Sequence, residues 1–254
     1  MPAPQRSCRW HCCEPMPQPN RASKPRTDMY RIQSLITALA TILATPALAQ
    51  APDSPAPASG DANPAAARAE EDAQRQMADG SVMRAEDLQR LLGLNSDLGL
   101  AMRQALAEGT TEDLEQLSTA LRGKPMPPAD ALAAMPGEWS CQTIKVGGMP
   151  ALTVYSPFSC VIDERGNLQK LSGSQRTRGK IQEWEGQLVY LGTAYVADQT
   201  PPPYAEFPET VDTMNVGLQS PDVGVVELTG ANTGRIIHPS PYVESRLNIL
   251  VLRR

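Results

Sequence analysis

The 254-residue sequence predicts an α+β protein, with short N-terminal helices followed by an antiparallel β-barrel or β-sandwich of eight or nine strands. Two patterns predict this class. Between Ser81 and Gly123 leucines recur at three- and four-residue steps, the period of an amphipathic helix. From Gly137 onward the apolar period shortens to two and turn residues recur, as in an antiparallel sheet.

Before the helices, the chain carries an internal export signal. Met29-Tyr30-Arg31 is a short positive start, Ile32 to Leu43 is mostly apolar, and Ala47-Leu48-Ala49 is a small-residue cleavage site before Gln50. Its apolar core is well short of the ~18 residues of a membrane span, so cleavage is expected and no membrane anchor remains. Residues 1–28 then read as an over-extended gene start, disordered if translated. From Gln50 to about Gly80 the composition is Ala, Pro, Asp and Glu, which buries too little surface to offset chain entropy, so residues 50–80 read as a linker. Within it Asn63-Pro64 suits the start of a short helix to Met77, one without an apolar face.

Residues 81–134 form the expected helical segment. Leu88, Leu91 and Leu92, then Leu98, Met102 and Leu106, then Leu114, Leu117 and Leu121 mark three apolar stripes. Thr110-Thr111 before Glu112 and Asp113 is a helix start that suits the dipole, and Gly123 with Pro125 is a stop. Residues 135–254 form the β domain. Strands are expected near Trp139–Val146, Thr153–Ile162, Leu168–Gln175, Thr177–Trp184, Leu188–Val196, Met214–Leu218, Val223–Leu228, Arg235–His238 and Val243–Leu252. Arg165-Gly166-Asn167, Glu185-Gly186, Pro221-Asp222 and Asn232-Thr233-Gly234 read as connecting turns.

The signal also sets the chemistry available. Residues 1–49 hold six of the 23 Lys+Arg and two of the 28 Asp+Glu, so the chain from Gln50 has 17 basic and 26 acidic side chains, a charge of −9. An acidic chain without a basic block excludes nucleic acid as a partner. Cys8, Cys12 and Cys13 precede the cleavage site, which leaves Cys141 and Cys160 to form one disulfide in an oxidising compartment. Equidistant from Pro150-Ala151, they are expected to face each other across the first hairpin, with Trp139, Phe158 and Ile162 burying the bridge. They lack the C-x-x-C spacing of a redox pair.

His238 is then the one remaining histidine, too few for a multi-histidine metal site. Neither a G-x-S-x-G elbow nor a phosphate-binding glycine loop is present, so no catalytic residue, metal or cofactor is assigned. The polar residues of interest lie on strands. Alternation puts Thr143 and Lys145 on the inward face with Trp139 and Cys141, and Lys145 or Arg176 is the natural partner of Glu244. Lys145, Arg176 and Glu244 are therefore the candidate ligand-binding residues. Against this, Val243, Leu247, Ile249 and Val251 share a face of the last strand that would turn Glu244 outward.

Trp139-Ser140-Cys141-Gln142-Thr143-Ile144-Lys145, the run Ser172 to Thr177 and Pro239-Ser240-Pro241-Tyr242-Val243-Glu244-Ser245 resemble a family of exported bacterial proteins, domain of unknown function 4893. The resemblance runs from about Leu88 to the C-terminus and implies export and a single β-rich domain, without a reaction. The expected function is that of an exported, periplasmic, non-enzymatic binding or envelope-associated protein, its partner an unknown small ligand or envelope protein. Two alternatives stand beside it: a hydrolase-like enzyme using Lys145, Arg176, Glu244 and His238, and a structural partner protein that docks through its helical segment.

Overall fold

The structure is a computed structural model, and it describes residues 64–254 apart from Asn215. The expected gene start, signal peptide, first three cysteines and most of the linker lie outside the described residues. Helices α1 (Pro64–Arg75), α2 (Ala85–Leu92), α3 (Leu94–Glu108), α4 (Thr111–Leu121) and α5 (Pro128–Ala134) precede nine strands. Those are β1 (Gly137–Gly148), β2 (Leu152–Val154), β3 (Phe158–Ile162), β4 (Asn167–Lys170), β5 (Gln175–Trp184), β6 (Gln187–Val196), β7 (Gln219–Gly230), β8 (Thr233–Pro239) and β9 (Ser245–Arg253). All pairings are antiparallel and follow chain order from β3 to β9, and β9 pairs back onto β1, closing an eight-stranded barrel with β2 as the ninth strand. Closure leaves the barrel strands no free edge.

Several expected elements move. Residues 153–162 do not form one strand, because Tyr155-Ser156-Pro157 separates β2 from β3, and proline has no N–H to give the ladder. The interruption also shifts the register by one residue, from Ile144↔Val154 to Cys141↔Phe158. The hairpin centres on Met149, with Val146 opposite Leu152, rather than between Pro150 and Ala151. Even after the shift Cys160 stands opposite Trp139, so the Cys141–Cys160 disulfide is diagonal rather than directly across the hairpin; its Cα atoms are 5.9 Å apart. Both cysteines are buried as expected. Met214–Leu218 is not a strand, and Pro221-Asp222 is not a turn but part of β7. There β7 pairs with β6 from Gln219 but with β8 only from Val225, so Pro221 faces no ladder on its far edge.

Residues 64–80 also differ from the expected linker. α1 ends at Arg75, and both Arg75 and Met77 are buried; Arg75 donates to the Met83 carbonyl at 2.7 Å and Gln74 accepts from the Trp184 indole at 3.0 Å. Side-chain anchors onto the barrel replace the missing apolar stripe. In α3 the buried residues are Ala101 and Ala105, whereas Leu106 is 64 % exposed. The helix lies so close to β1 that a Cβ added at Gly147 would come within 3.1 Å of Ala101. Small residues therefore make the closest contact, while Leu98 and Met102 of the expected stripe pack against the same cluster only partly buried. Likewise Leu92 of α2 is exposed while Leu88 and Leu91 are buried.

Candidate functional site

Alternation along the strands divides the barrel interior into a packed end and a polar end. At the packed end Ala131 and Met135, from α5 and its C-cap, join Trp139, Cys141, Cys160, Ile162, Leu168 and Leu252 in one apolar cluster. The Trp139 indole donates to the Met135 carbonyl at 2.8 Å, tying this plug to β1. One step further along the same inward faces the residues become polar: Thr143 and Lys145 on β1, Lys170 on β4, Thr177 on β5, Asp222 on β7, His238 on β8 and Asn248 on β9. They line a cavity of about 290 Å³. Phe158, Ala194, Val196, Leu218 and Leu250 supply its apolar wall.

Its cations are unevenly compensated. Lys145 is buried and forms a salt bridge with Glu244, while Gln175 accepts from Lys145 at 2.8 Å and donates to Glu244 at 3.2 Å. The Lys145 hydrogen bond holds the Glu244 carboxyl below its ordinary range. Lys145, Arg176 and His238 line the cavity, and Glu244 sits beside it on the 240–244 loop. Glu244 is exposed, as expected, but it precedes β9 with φ 72°, so strand alternation does not govern it and its carboxylate still reaches Lys145.

Lys170, only 6 % exposed, has no carboxylate partner among the described residues. It donates to the carbonyls of Ser172 at 3.2 Å and Gln175 at 2.5 Å and lies 3.7 Å from the Phe158 ring centroid. Burial, then the charges of Arg176 and Lys145, push its ammonium down to about 8. Arg176 donates through Nε to the Gly173 carbonyl at 3.1 Å, and its two terminal nitrogens have no protein partner among the described residues. A planar guanidinium edge left in this way matches a carboxylate or phosphate bidentately.

A second polar group lies across the cavity. His238 Nδ1 is 2.9 Å from Asp222 Oδ1 and 3.2 Å from the Val223 carbonyl, and its ring meets Tyr190 edge-on at 5.8 Å. Thr177 donates to Asp222 Oδ2 at 2.8 Å and lies 2.6 Å from the Tyr190 hydroxyl. Burial raises the Asp222 carboxyl, but the charge and hydrogen bond of His238, then Arg90 and Thr177, outweigh it and hold the group below the carboxylate range. Gly224 makes room for the ring: an added Cβ there would stand 3.2 Å from His238 Nδ1.

Outside the barrel, Asp87 of α2 is fully buried. It accepts from Arg84 at 2.9 Å, Arg90 at 2.8 Å and the Tyr204 hydroxyl at 2.7 Å. Arg84 in turn bonds the Pro208 and Glu209 carbonyls and the Tyr242 hydroxyl, and Arg90 bonds the Pro239 carbonyl. The two loops that border the cavity, residues 197–218 and 240–244, are thereby fastened to one helix.

Sequence reasoning missed Lys170, Asp222, Thr177 and Tyr190. Lys170 was accessible to it, since Leu168 and Lys170 share the inward face of β4. Asp222 gave no such signal, because Pro-Asp is a turn dipeptide. Among the described residues no group of three or more His, Cys, Asp or Glu is placed to hold a metal ion, and no helix is long and apolar enough to cross a membrane.

Fold and site together define a small cavity-bearing antiparallel barrel with cations at one end of its interior. The family model for a domain of unknown function, DUF4893, matches residues 80–252, and the chain belongs to that family. No curated protein and no solved structure matches the chain.

Proposed function

We propose that this is an exported binding protein whose barrel cavity takes a small amphiphile bearing a carboxylate or phosphate. The observation that carries this reading is Lys170, buried in the cavity without a carboxylate among the described residues, with Arg176 also lining that cavity and its terminal nitrogens without a protein partner among the described residues. A buried cation is costly unless an anion or several dipoles meet it, and a ligand anion supplies the missing charge. The apolar wall and a volume of about 290 Å³ suit a short hydrocarbon body rather than a long lipid chain. Export is supported by the Met29–Ala49 segment, and a buried disulfide is consistent with an oxidising compartment.

Calorimetric titration with octanoate and with hexyl phosphate tests the binding reading. Saturable binding of either to the intact protein, weakened at least tenfold in Arg176→Met, is the expected result. The reading is overturned by absence of binding for both, or by equal affinity in Arg176→Met. Intact-mass measurement on protein recovered from a periplasmic extract tests export, with an N-terminus at or near Gln50 expected and one at Met1 or Met29 against it.

The hydrolase reading retains one favourable observation, the convergence of Lys145, Arg176 and His238 on the same cavity. Turnover of an anionic nitrophenyl ester, abolished by His238→Phe in a folded variant, would displace the binding reading.

A further inference from the structure

We propose that His238 reads a hydroxyl group on the bound anion, so that the cavity selects hydroxylated amphiphiles over their unsubstituted parents. This rests on the anion-binding reading above and names the ligand class more narrowly.

The inference starts from the proton on the imidazole. Nδ1 has two neighbours, the Asp222 carboxylate and the Val223 carbonyl, and both are acceptors. Nδ1 is therefore assigned as the protonated nitrogen that donates, and the ring orientation is fixed by β7. Both Asp222 oxygens are occupied, one by His238 and the other by Thr177. The dyad is saturated on that side.

Nε2 is different. His238 is 5 % exposed and lines the cavity, yet no described residue bonds Nε2. The nitrogen is not sealed off either, since Arg75 Nε is the one buried side-chain nitrogen or oxygen without a partner among the described residues. An acceptor nearly enclosed by protein and directed at a ligand cavity costs affinity for any ligand that covers it with hydrocarbon. A hydroxyl avoids that cost. It donates to neutral imidazole and accepts from imidazolium, so it satisfies Nε2 in either state.

The two contacts are spatially separate. His238 is opposite Asn248, and Asn248 is opposite Lys145, so the three form one inward rung across β8, β9 and β1. Arg176 lies at the start of β5, across the barrel from that rung. The anion and the hydroxyl therefore occupy different positions on one molecule. Sites that hydrogen-bond a ligand hydroxyl discriminate strongly against analogues lacking it, because the site's own polar group is then left unpaired.

The test uses matched pairs titrated into the intact protein: octanoate against 2-hydroxy- and 3-hydroxyoctanoate, and hexyl phosphate against 6-hydroxyhexyl phosphate. The expected result is that a hydroxylated member binds at least tenfold tighter than its parent, and that His238→Phe abolishes the preference. Equal affinity of every hydroxylated compound and its parent overturns the hydroxyl inference and leaves anion binding intact. Failure of all members to bind overturns both. Should His238→Phe not fold, 15N-histidine spectra of His11→Ala protein give the same decision, because His238 is then the one histidine in the chain. The Nε2 resonance is expected to move with a hydroxylated ligand and not with its parent; identical movement with both refutes the inference.

Discussion

Replacing Asp87 by Asn should be among the most damaging single changes outside the barrel. The carboxylate is wholly buried and stands between two guanidiniums whose side chains are 4 % and 7 % exposed. Asparagine keeps the size and one oxygen, but its NH2 group faces donors; buried Arg90 loses its carboxylate partner among the described residues, and Arg84 keeps only Glu86. Breaking a buried ion pair by removing one partner costs about 3–5 kcal/mol. For a folded unit of this size each kcal/mol lowers Tm by roughly 2–4 °C, so a fall of roughly 6–20 °C is expected. Urea unfolding followed by the fluorescence of Trp139 and Trp184, both buried, measures the change directly. A lower midpoint at unchanged slope is the expected form. A loss below about 1 kcal/mol would refute the reasoning, since it would mean that water or local rearrangement screens the arginines as at a surface pair.

Two further outcomes follow from the site and its frame. Closing a loop between residues 19 apart stabilises by about 3 kcal/mol in the chain-entropy treatment, so Cys141→Ala/Cys160→Ala should lower the unfolding free energy by at least that amount; an unchanged urea midpoint would count against it. Lys170, with its folded pKa about 8 against an ordinary value near 10.5, binds fewer protons folded than unfolded between those values. Stability from this group therefore rises as pH increases from about 8 to about 10.5 and is flat below. Urea midpoints across that range should climb less steeply in Lys170→Met than in the parent, and parallel curves would exclude the assignment.

The architecture was legible wherever period and turn chemistry agreed. Glu185-Gly186 and Arg165-Gly166-Asn167 locate two hairpins, and Trp139, Cys141 and Lys145 fall on the inward face that alternation predicts. Reading failed where one residue changes the local rule. Pro157 interrupts a strand and shifts its register by one residue, and the first hairpin centres on Met149 rather than between Pro150 and Ala151, which makes the disulfide diagonal. Pro221 signalled a turn, yet it is tolerated in β7 because β8 does not reach that far, and Asp222 was lost with it. Glu244 is exposed as strand parity suggests, but it occupies a positive-φ turn that lets its carboxylate reach Lys145. The pairing of Lys145 with Glu244 was nonetheless among the candidate pairs. Ala101 and Ala105 carry no periodic signal strong enough to compete with leucines, because their role depends on how near the opposing backbone comes.

Barrel closure has a consequence for how the chain reaches this fold. β1 finds its second neighbour only in β9, as in the Lys145↔Asn248 pairing, so the strand bearing the disulfide and the cavity lysine stays half-paired until nearly the whole domain is available. Such long-range pairing favours slow folding. In the interval, β8 and β1 both present unpaired ladders of the kind that recruit other chains. The seam between the first and ninth strands is thus where misassembly has its opening, and a variant shortened before Ser245 would retain two adhesive margins in place of a sealed cylinder.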